Sequence, residues 1–287
     1  MKSRTAGRSR GLATARGLAA HSGLLLFGLI MLYPVLWMIS SSFKPAADIF
    51  SNLGLWPTNF TLDNYIQGWD AFAPGFGTFF VNSFVITALS IVGNLVSCSF
   101  AAYAFARLEF PIKRVLFALM LLTIMVPAHA IAVPQYILFT QLGWVNTILP
   151  LVVPKFLATD AFFIFLMTQF MRNLPRELDD AAKIDGCGFY SIFGRIILPL
   201  LLPAIATTAI FTFIWTWNDF FSPLLYLNDP STYTVPLGLR AFQDSSGDTS
   251  WGPLFAMSTL AIGPVLGFFI LSQRFLINGI ATTGLKA

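Results

Sequence analysis

The chain has 287 residues, 56% of them hydrophobic and 10% charged, with 30 Phe, 7 Trp and a formal net charge of +4. Its mean hydropathy is +0.73. Soluble domains carry about 25% Asp, Glu, Lys and Arg, and a soluble globule needs a charged, mixed-sign surface, so composition argues against a soluble enzyme, a disordered chain and a nucleic-acid module. Cys98 and Cys187 occupy unlike settings and have no disulfide-framework or metal-site spacing.

Six apolar runs, at about 22–42, 79–106, 115–137, 148–171, 196–227 and 252–275, reach the roughly 20 residues that a helix needs to cross hydrocarbon. A spanning segment must satisfy its own backbone polar groups, so the expected fold is an all-α polytopic membrane protein with six transmembrane helices. Ahead of the first run, residues 1–21 form a tail bearing Lys2, Arg4, Arg8, Arg10 and Arg16. A signal peptide also begins basic and then apolar, but this run continues through Tyr33, Pro34 and Trp37 without a small-x-small cleavage site. A retained span is expected. Basic residues favour the cytoplasmic side. With the N-terminus inside, 14 of the 17 basic residues fall inside and only Lys44, Lys155 and Arg240 outside. Both termini are therefore expected in the cytoplasm, with 281–287 as a short tail.

Proline recurs within or at the ends of these runs: Pro34, Pro127, Pro134, Pro150, Pro154, Pro199, Pro203, Pro223 and Pro264. Each removes a backbone donor, which membrane helices tolerate where neighbours or a wet cavity satisfy the freed carbonyls. Kinked helices around a cavity suit a transporter better than an anchor.

The inside loop from Arg172 to Arg195 is the only cytoplasmic one large enough for structure of its own. Pro175 suits a first helical position, and Glu177, Asp179 and Asp180 suit a helix N-terminus. Leu178, Ala181 and Ala182 share one small apolar face. Gly186 and Gly188 mark a break after Asp185, and Phe189, Ile192, Phe193 and Ile196 repeat at helical spacing. Periodicity alone leaves two readings: a helix pair presented to a groove in a soluble partner, or an interfacial helix resting on the bilayer.

At this loop the chain resembles the permease subunits of bacterial binding-protein-dependent ABC importers. Their signature is Glu-Ala-Ala, three residues, Gly, nine residues, Ile, one residue, Leu-Pro. Here Asp180, Ala181, Ala182, Gly186, Ile196, Leu198 and Pro199 stand at that spacing, with Asp180 in place of Glu. The resemblance implies that these residues, with Asp185, form a coupling helix and its flank seated in a cleft of an ATPase subunit. Asn82-Ser83-Phe84, the stretch from Ala101 to Arg107, Trp217-Asn218-Asp219-Phe220 and Gln273-Arg274-Phe275 are similar to the carbohydrate branch, specifically the six-helix member of the maltose-type permease pair. Together with the loop they cover most of 22–280, which is the expected transport domain.

The resemblance implies a place in the bacterial cytoplasmic membrane, amid membrane lipid, and the import of a sugar or oligosaccharide. It also implies a second permease subunit as heterodimer partner, an ATPase subunit pair and an extracytoplasmic sugar-binding protein. No Gly-x-x-x-x-Gly-Lys-[Ser/Thr] phosphate loop occurs. ATP and Mg2+ are accordingly expected in the partner ATPase subunits, with no cofactor, metal, catalytic residue or nucleic-acid partner for this chain.

Intramembrane polar groups are functional candidates. Asn218 and Asp219 either face a path or lock helices. Asn82, Ser83 and Thr87 belong to an unusually polar second span that fits a cavity wall or helix–helix hydrogen bonding. These five are the expected path residues. Lys155 and Asp160 are expected to pair or snorkel, and His129 to be a hydrogen-bond partner beside a helix break rather than a proton relay. On the outside, Gln243, Asp244, Ser245, Ser246, Gly247 and Asp248 form a polar tip flanked by Leu237, Leu239 and Phe242. By the resemblance this tip reaches into the binding protein; otherwise it is a solvated connector. Two rivals remain. A sugar phosphate such as glycerol phosphate fits the same family. A proton-coupled carrier would call for buried carboxylates in several spans and repeat symmetry, which the sequence lacks.

Overall fold

The computed structural model describes residues 5–243 and 249–284, and every regular element among them is helical. In chain order these are α1 (Thr5–Ser41), α2 (Asp63–Trp69), α3 (Phe76–Arg107), α4 (Lys113–Ile124), α5 (Ala128–Gln141) and α6 (Leu149–Val152). There follow α7 (Ala161–Arg172), α8 (Glu177–Ile184), α9 (Phe189–Ile192), α10 (Leu198–Leu200), α11 (Leu202–Trp217), α12 (Phe221–Tyr226), α13 (Val235–Ala241) and α14 (Trp251–Gly284). Four helices are long and apolar enough to cross a membrane, and the count reaches six when each bent pair is one span.

The first, second and sixth expected runs lie inside the long helices α1, α3 and α14. The other three are interrupted. The run expected at 115–137 is two helices meeting at 103°, with Pro127 held extended (φ −66°, ψ 129°) at the head of α5. Proline cannot donate to the preceding turn and pushes its predecessor out of the helical region. The run expected at 148–171 begins as α6 and a 3-10 turn over Val153–Leu157 and passes through a left-handed residue, Ala158 (φ 55°), before α7, yet Leu149–Arg172 still counts as one span. The run expected at 196–227 bends by 75° between Phe189–Leu200 and Leu202–Trp217, where Pro199 and Pro203 flank Leu201, and it ends at Trp217 with α12 as a separate short helix. At the N-terminal side, α1 extends back to Thr5, so the expected tail is largely helical.

The chain divides into two compact units. One comprises 1–68 and 244–259 and the other 69–243 and 260–287. In the first unit, Asn64 of α2 donates from Nδ2 to the carbonyls of Ser42 (2.9 Å) and Lys44 (2.7 Å), and Trp37 packs edge-on against Phe255. Lys44 is 1% exposed. Its Nζ donates to the carbonyls of Asn52 (2.8 Å) and Gly54 (2.6 Å). Burial lowers its pKa, against the raising field of Asp48. The lysine counted as an outside charge is thus the internal brace of the loop after α1.

In the second unit α3 is the central helix. Its Cys98, Ala102, Tyr103 and Ala106 pack with Phe163, Met167 and Met171 of α7 and with Ile197 and Leu201 of the bent segment. Asn94 donates to Thr212 Oγ1 at 3.1 Å in a fully buried bond between α3 and α11, which is helix–helix hydrogen bonding of the kind the polar second span allowed. Farther on, Phe213 stacks on Phe268 with centroids 4.1 Å apart, and Trp217 Nε1 donates to the Ala261 carbonyl.

Candidate functional site

Two places gather the candidates expected from sequence, a helical loop following α7 and a half-open cavity beside α3. The loop helix α8 begins at Glu177 with Arg176 as its cap, so Pro175 lies just before the helix rather than at its first position. Its first turn carries Glu177, Asp179 and Asp180, near the positive end of the helix dipole. Asp180 forms an exposed pair with Lys183 at 2.9 Å, and exposed pairs stabilise little.

Asp179 differs. Its Oδ2 lies 3.1 Å from Arg107 Nε at the end of α3, with side chains only 10% and 4% exposed. Arg107 also donates from a terminal nitrogen to the Leu174 carbonyl at 3.0 Å. Arg107 Nε faces Asp179 Oδ2 off hydrogen-bond alignment, and neither that Nε nor the other carboxylate oxygen, Oδ1, has a hydrogen-bond partner among the described residues. Sequence reasoning used Arg107 as a topology charge and as part of the Ala101–Arg107 resemblance, and left Asp179 out of the site. The signal was the combination of an arginine closing a long span with an acidic helix start in the loop after α7.

The small face of α8 is split. Ala182 is 4% exposed and packs into the core shared by α3 and α7, whereas Ile184 is 87% exposed. Leu178 and Ala181 also face out. Ala182 therefore seats the helix rather than presenting it. The helix ends at Gly186 (φ 79°), whose N–H bonds the Lys183 carbonyl while that of Cys187 bonds the Ala182 carbonyl. This is a Schellman closure that needs a left-handed residue at this place.

The expected aromatic stripe also divides. Ile192 and Phe193 are buried, with Phe193 stacked on Phe100 and tilted against Tyr103. Tyr190, 77% exposed, was missed because it lies off the stripe. Ile196 falls in a single π-helical turn, Phe193–Ile197, and Leu198 and Pro199 lead into the 75° bend. Asp180, Ala181, Asp185 and Gly186 are exposed, and Ile196 and Leu198 are half-buried. The signature positions thus run from the outer face of α8 to the hinge of the next span.

The cavity measures about 500 Å3 and is lined by Ser83, Gln135, Lys155, Thr159, Asp160, Asp219, Ser222 and Thr234 together with Trp215, Phe139 and Tyr226. Lys155 pairs with Asp160 at 2.9 Å on its wall, the pairing expected for them. Of the expected path residues, Ser83 and Asp219 reach the lining and Asn82, Thr87 and Asn218 do not. Ser83 Oγ accepts the Val235 N–H at 2.9 Å. Asn82 donates to the Ser231 (2.9 Å) and Tyr233 (3.0 Å) carbonyls. Both therefore tie the segment from Ser231 to Val235 to α3. Thr87 is buried, Asn218 donates to its own helix at Ile214, and Asp219 Oδ1 accepts the Ser222 N–H, heading α12. His129 is exposed and stands beside the Phe221 ring.

Leu237 and Phe242 are buried, and Gly238 lies so close to Phe79 that a Cβ would overlap the ring. The flank that precedes Gln243 is thus anchored. Gln243 is exposed, while Asp244, Ser245, Ser246, Gly247 and Asp248 lie outside the described residues.

Proline-broken spans around a polar cavity, joined to a short amphipathic helix at one end, define an α-helical membrane permease fold. The same fold is found in a chain of a bacterial ABC transporter involved in the import of the acidic polysaccharide alginate, with a TM-score of 0.78 over 96% of this chain and 98% of that one, at 21% identity. The chain belongs to the family of binding-protein-dependent transport system inner membrane components, whose match spans residues 93–281. Relatives include the arabinooligosaccharides transport system permease protein AraQ of Halalkalibacterium halodurans, 35% identical over 90% of this chain and 92% of that protein. The trehalose/maltose transport system permease protein MalG of Thermococcus litoralis is 32% identical over 91% and 94%. The diacetylchitobiose uptake system permease protein DasC of Streptomyces coelicolor is 31% identical over 89% and 92%.

Proposed function

We propose that this permease carries a sugar or short oligosaccharide and forms half of the path with a second permease subunit. A separate ATPase pair drives it through α8, and an extracytoplasmic binding protein delivers the cargo. Both termini then face the cytoplasm, as the charge bias requires. The observation that carries the substrate class is the cavity. Among the described residues its only cation, Lys155, is already paired with Asp160, and Asp219 adds further negative charge. Such a lining has hydroxyls, an amide and aromatic rings for a neutral polyol and, among the described residues, no free cation for a phosphate. The oligosaccharides named for the related permeases agree with this. For the drive, the supporting geometry is a helix fixed to α3 by a buried ion pair while Ile184 and Tyr190 stand uncovered.

The test is gentle purification of the tagged chain from its own membrane, with mass spectrometry of what accompanies it and sugar uptake measured in its absence. A second permease and an ATPase should co-purify, and uptake of one sugar should be lost. Uptake supported by this chain alone, without an ATPase, would overturn the reading.

A further inference from the structure

At the junction of α3, α4 and α7, four cations, Lys113, Arg114, Arg172 and Arg176, converge on an open pocket of about 650 Å3 that contains a single carboxylate, Glu109. Glu109 is shared between Lys113 (3.3 Å) and Arg176 (3.9 Å). Among the described residues, Arg114 and Arg172 have no carboxylate partner within 4.0 Å. Arg172 instead lies over the Phe117 ring, 4.9 Å from its centroid, which orients a guanidinium without neutralising it.

The pocket also has an apolar wall. Phe105, Phe110, Ile112 and Phe117 line it beside the cations, and Ile112 is 65% exposed. Ile112 is also held in the left-handed region (φ 57°), a costly conformation for a β-branched residue and one that clusters at ligand sites.

We propose that this pocket binds the phosphate of an anionic phospholipid, with an acyl chain against Phe105, Phe110, Ile112 and Phe117. The excess of cations over Glu109 selects negative charge, and the apolar wall selects an amphiphile over free phosphate. Basic pockets between membrane helices suit such headgroups. Specificity resides in Arg114 and Arg172, the two cations without a carboxylate partner.

The test uses the full chain in mild detergent, so it depends neither on membrane orientation nor on the transport reading. Native mass spectrometry titrates phosphatidylglycerol against phosphatidylcholine. Phosphatidylglycerol should be retained preferentially, and the double variant Arg114→Gln/Arg172→Gln should weaken it by about tenfold or more. Glu109→Gln should strengthen it severalfold, a gain that misfolding cannot produce. Arg195→Gln, an exposed cation outside the pocket, should change nothing. Equal retention of both lipids, no response to Glu109→Gln, or an equal loss with Arg195→Gln would reduce the cluster to a diffuse basic belt and overturn the proposal. Displacement of the lipid by millimolar inorganic phosphate would make it a phosphate site and overturn it equally.

Discussion

Asp179→Ala should release α8 while leaving the membrane helices in place. The ion pair with Arg107 is more than 90% buried on the arginine side and about 90% on the aspartate side. Removing one member of a buried pair costs about 3–5 kcal/mol because the other charge is stranded. The lower figure applies here. Arg107 keeps its bond to the Leu174 carbonyl, and the pair is off hydrogen-bond alignment. An eight-residue helix has little stability of its own, so a loss of about 3 kcal/mol raises its opened population about 150-fold.

Hydrogen exchange at the α8 amides reads this directly. The Asp185 and Cys187 N–H groups, bonded to the Ala181 and Ala182 carbonyls, should lose protection in Asp179→Ala while those of α3 do not. Arg107→Met should act likewise. The double variant should cost clearly less than the sum of the single costs, since it leaves neither charge unpaired. In the assembled transporter, ATP hydrolysis should no longer respond to loaded binding protein. Unchanged protection in α8, or strictly additive single and double variants, would refute the view that this pair holds the helix.

Gly186→Ala should weaken the same helix end by about 1–2 kcal/mol, the cost of a left-handed non-glycine residue, because its φ is 79° and the space around it is open. Exchange at the Cys187 amide checks it. Ile184→Asp and Tyr190→Asp alter exposed side chains, so melting in detergent should hardly move, while co-purification of the ATPase should fall at least tenfold. Gly238→Ala forces a methyl into the ring of the fully buried Phe79 and should destabilise the protein by about 1–3 kcal/mol, read as a lowered melting temperature.

The long helices were legible because an uninterrupted apolar run admits one solution in a membrane. The breaks were not, although their prolines stood in plain view. Pro34 and Pro264 lie inside α1 and α14, whereas Pro127 and the Pro199–Pro203 pair mark bends of 103° and 75°. The residue type is the same, and Pro134 too lies inside a helix, α5, so a proline by itself does not say where a span breaks. The Arg107–Asp179 pair was hidden because its members are 72 positions apart. In α8 the adjacent Ala181 and Ala182 are chemically identical, so composition could not tell the outward residue from the one buried against α3 and α7. The signature spacing found the loop, and only packing assigned its faces.

The helix α3 links the two candidate places. It contributes Ser83 and Ile86 to the cavity wall near one end and Arg107 to the α8 pair at the other. Those ends are 24 residues apart, about 36 Å at the rise of an α-helix. Of the helices that line the cavity, α3 is the longest without a break; α5, α6, α11 and α12 are shorter and adjoin turns or bends. A rigid element fixed to α8 at one end and tied to the segment before α13 at the other, through Asn82 and Ser83, transmits a displacement rather than absorbing it. The π turn at Phe193–Ile197 and the bend at Leu201 lie on the other connection from α8 to the cavity, where local rearrangement meets less resistance. On the proposed function, a movement imposed on α8 would reach the cavity wall along α3, while the proline-flanked bend would let α11 follow at a different angle.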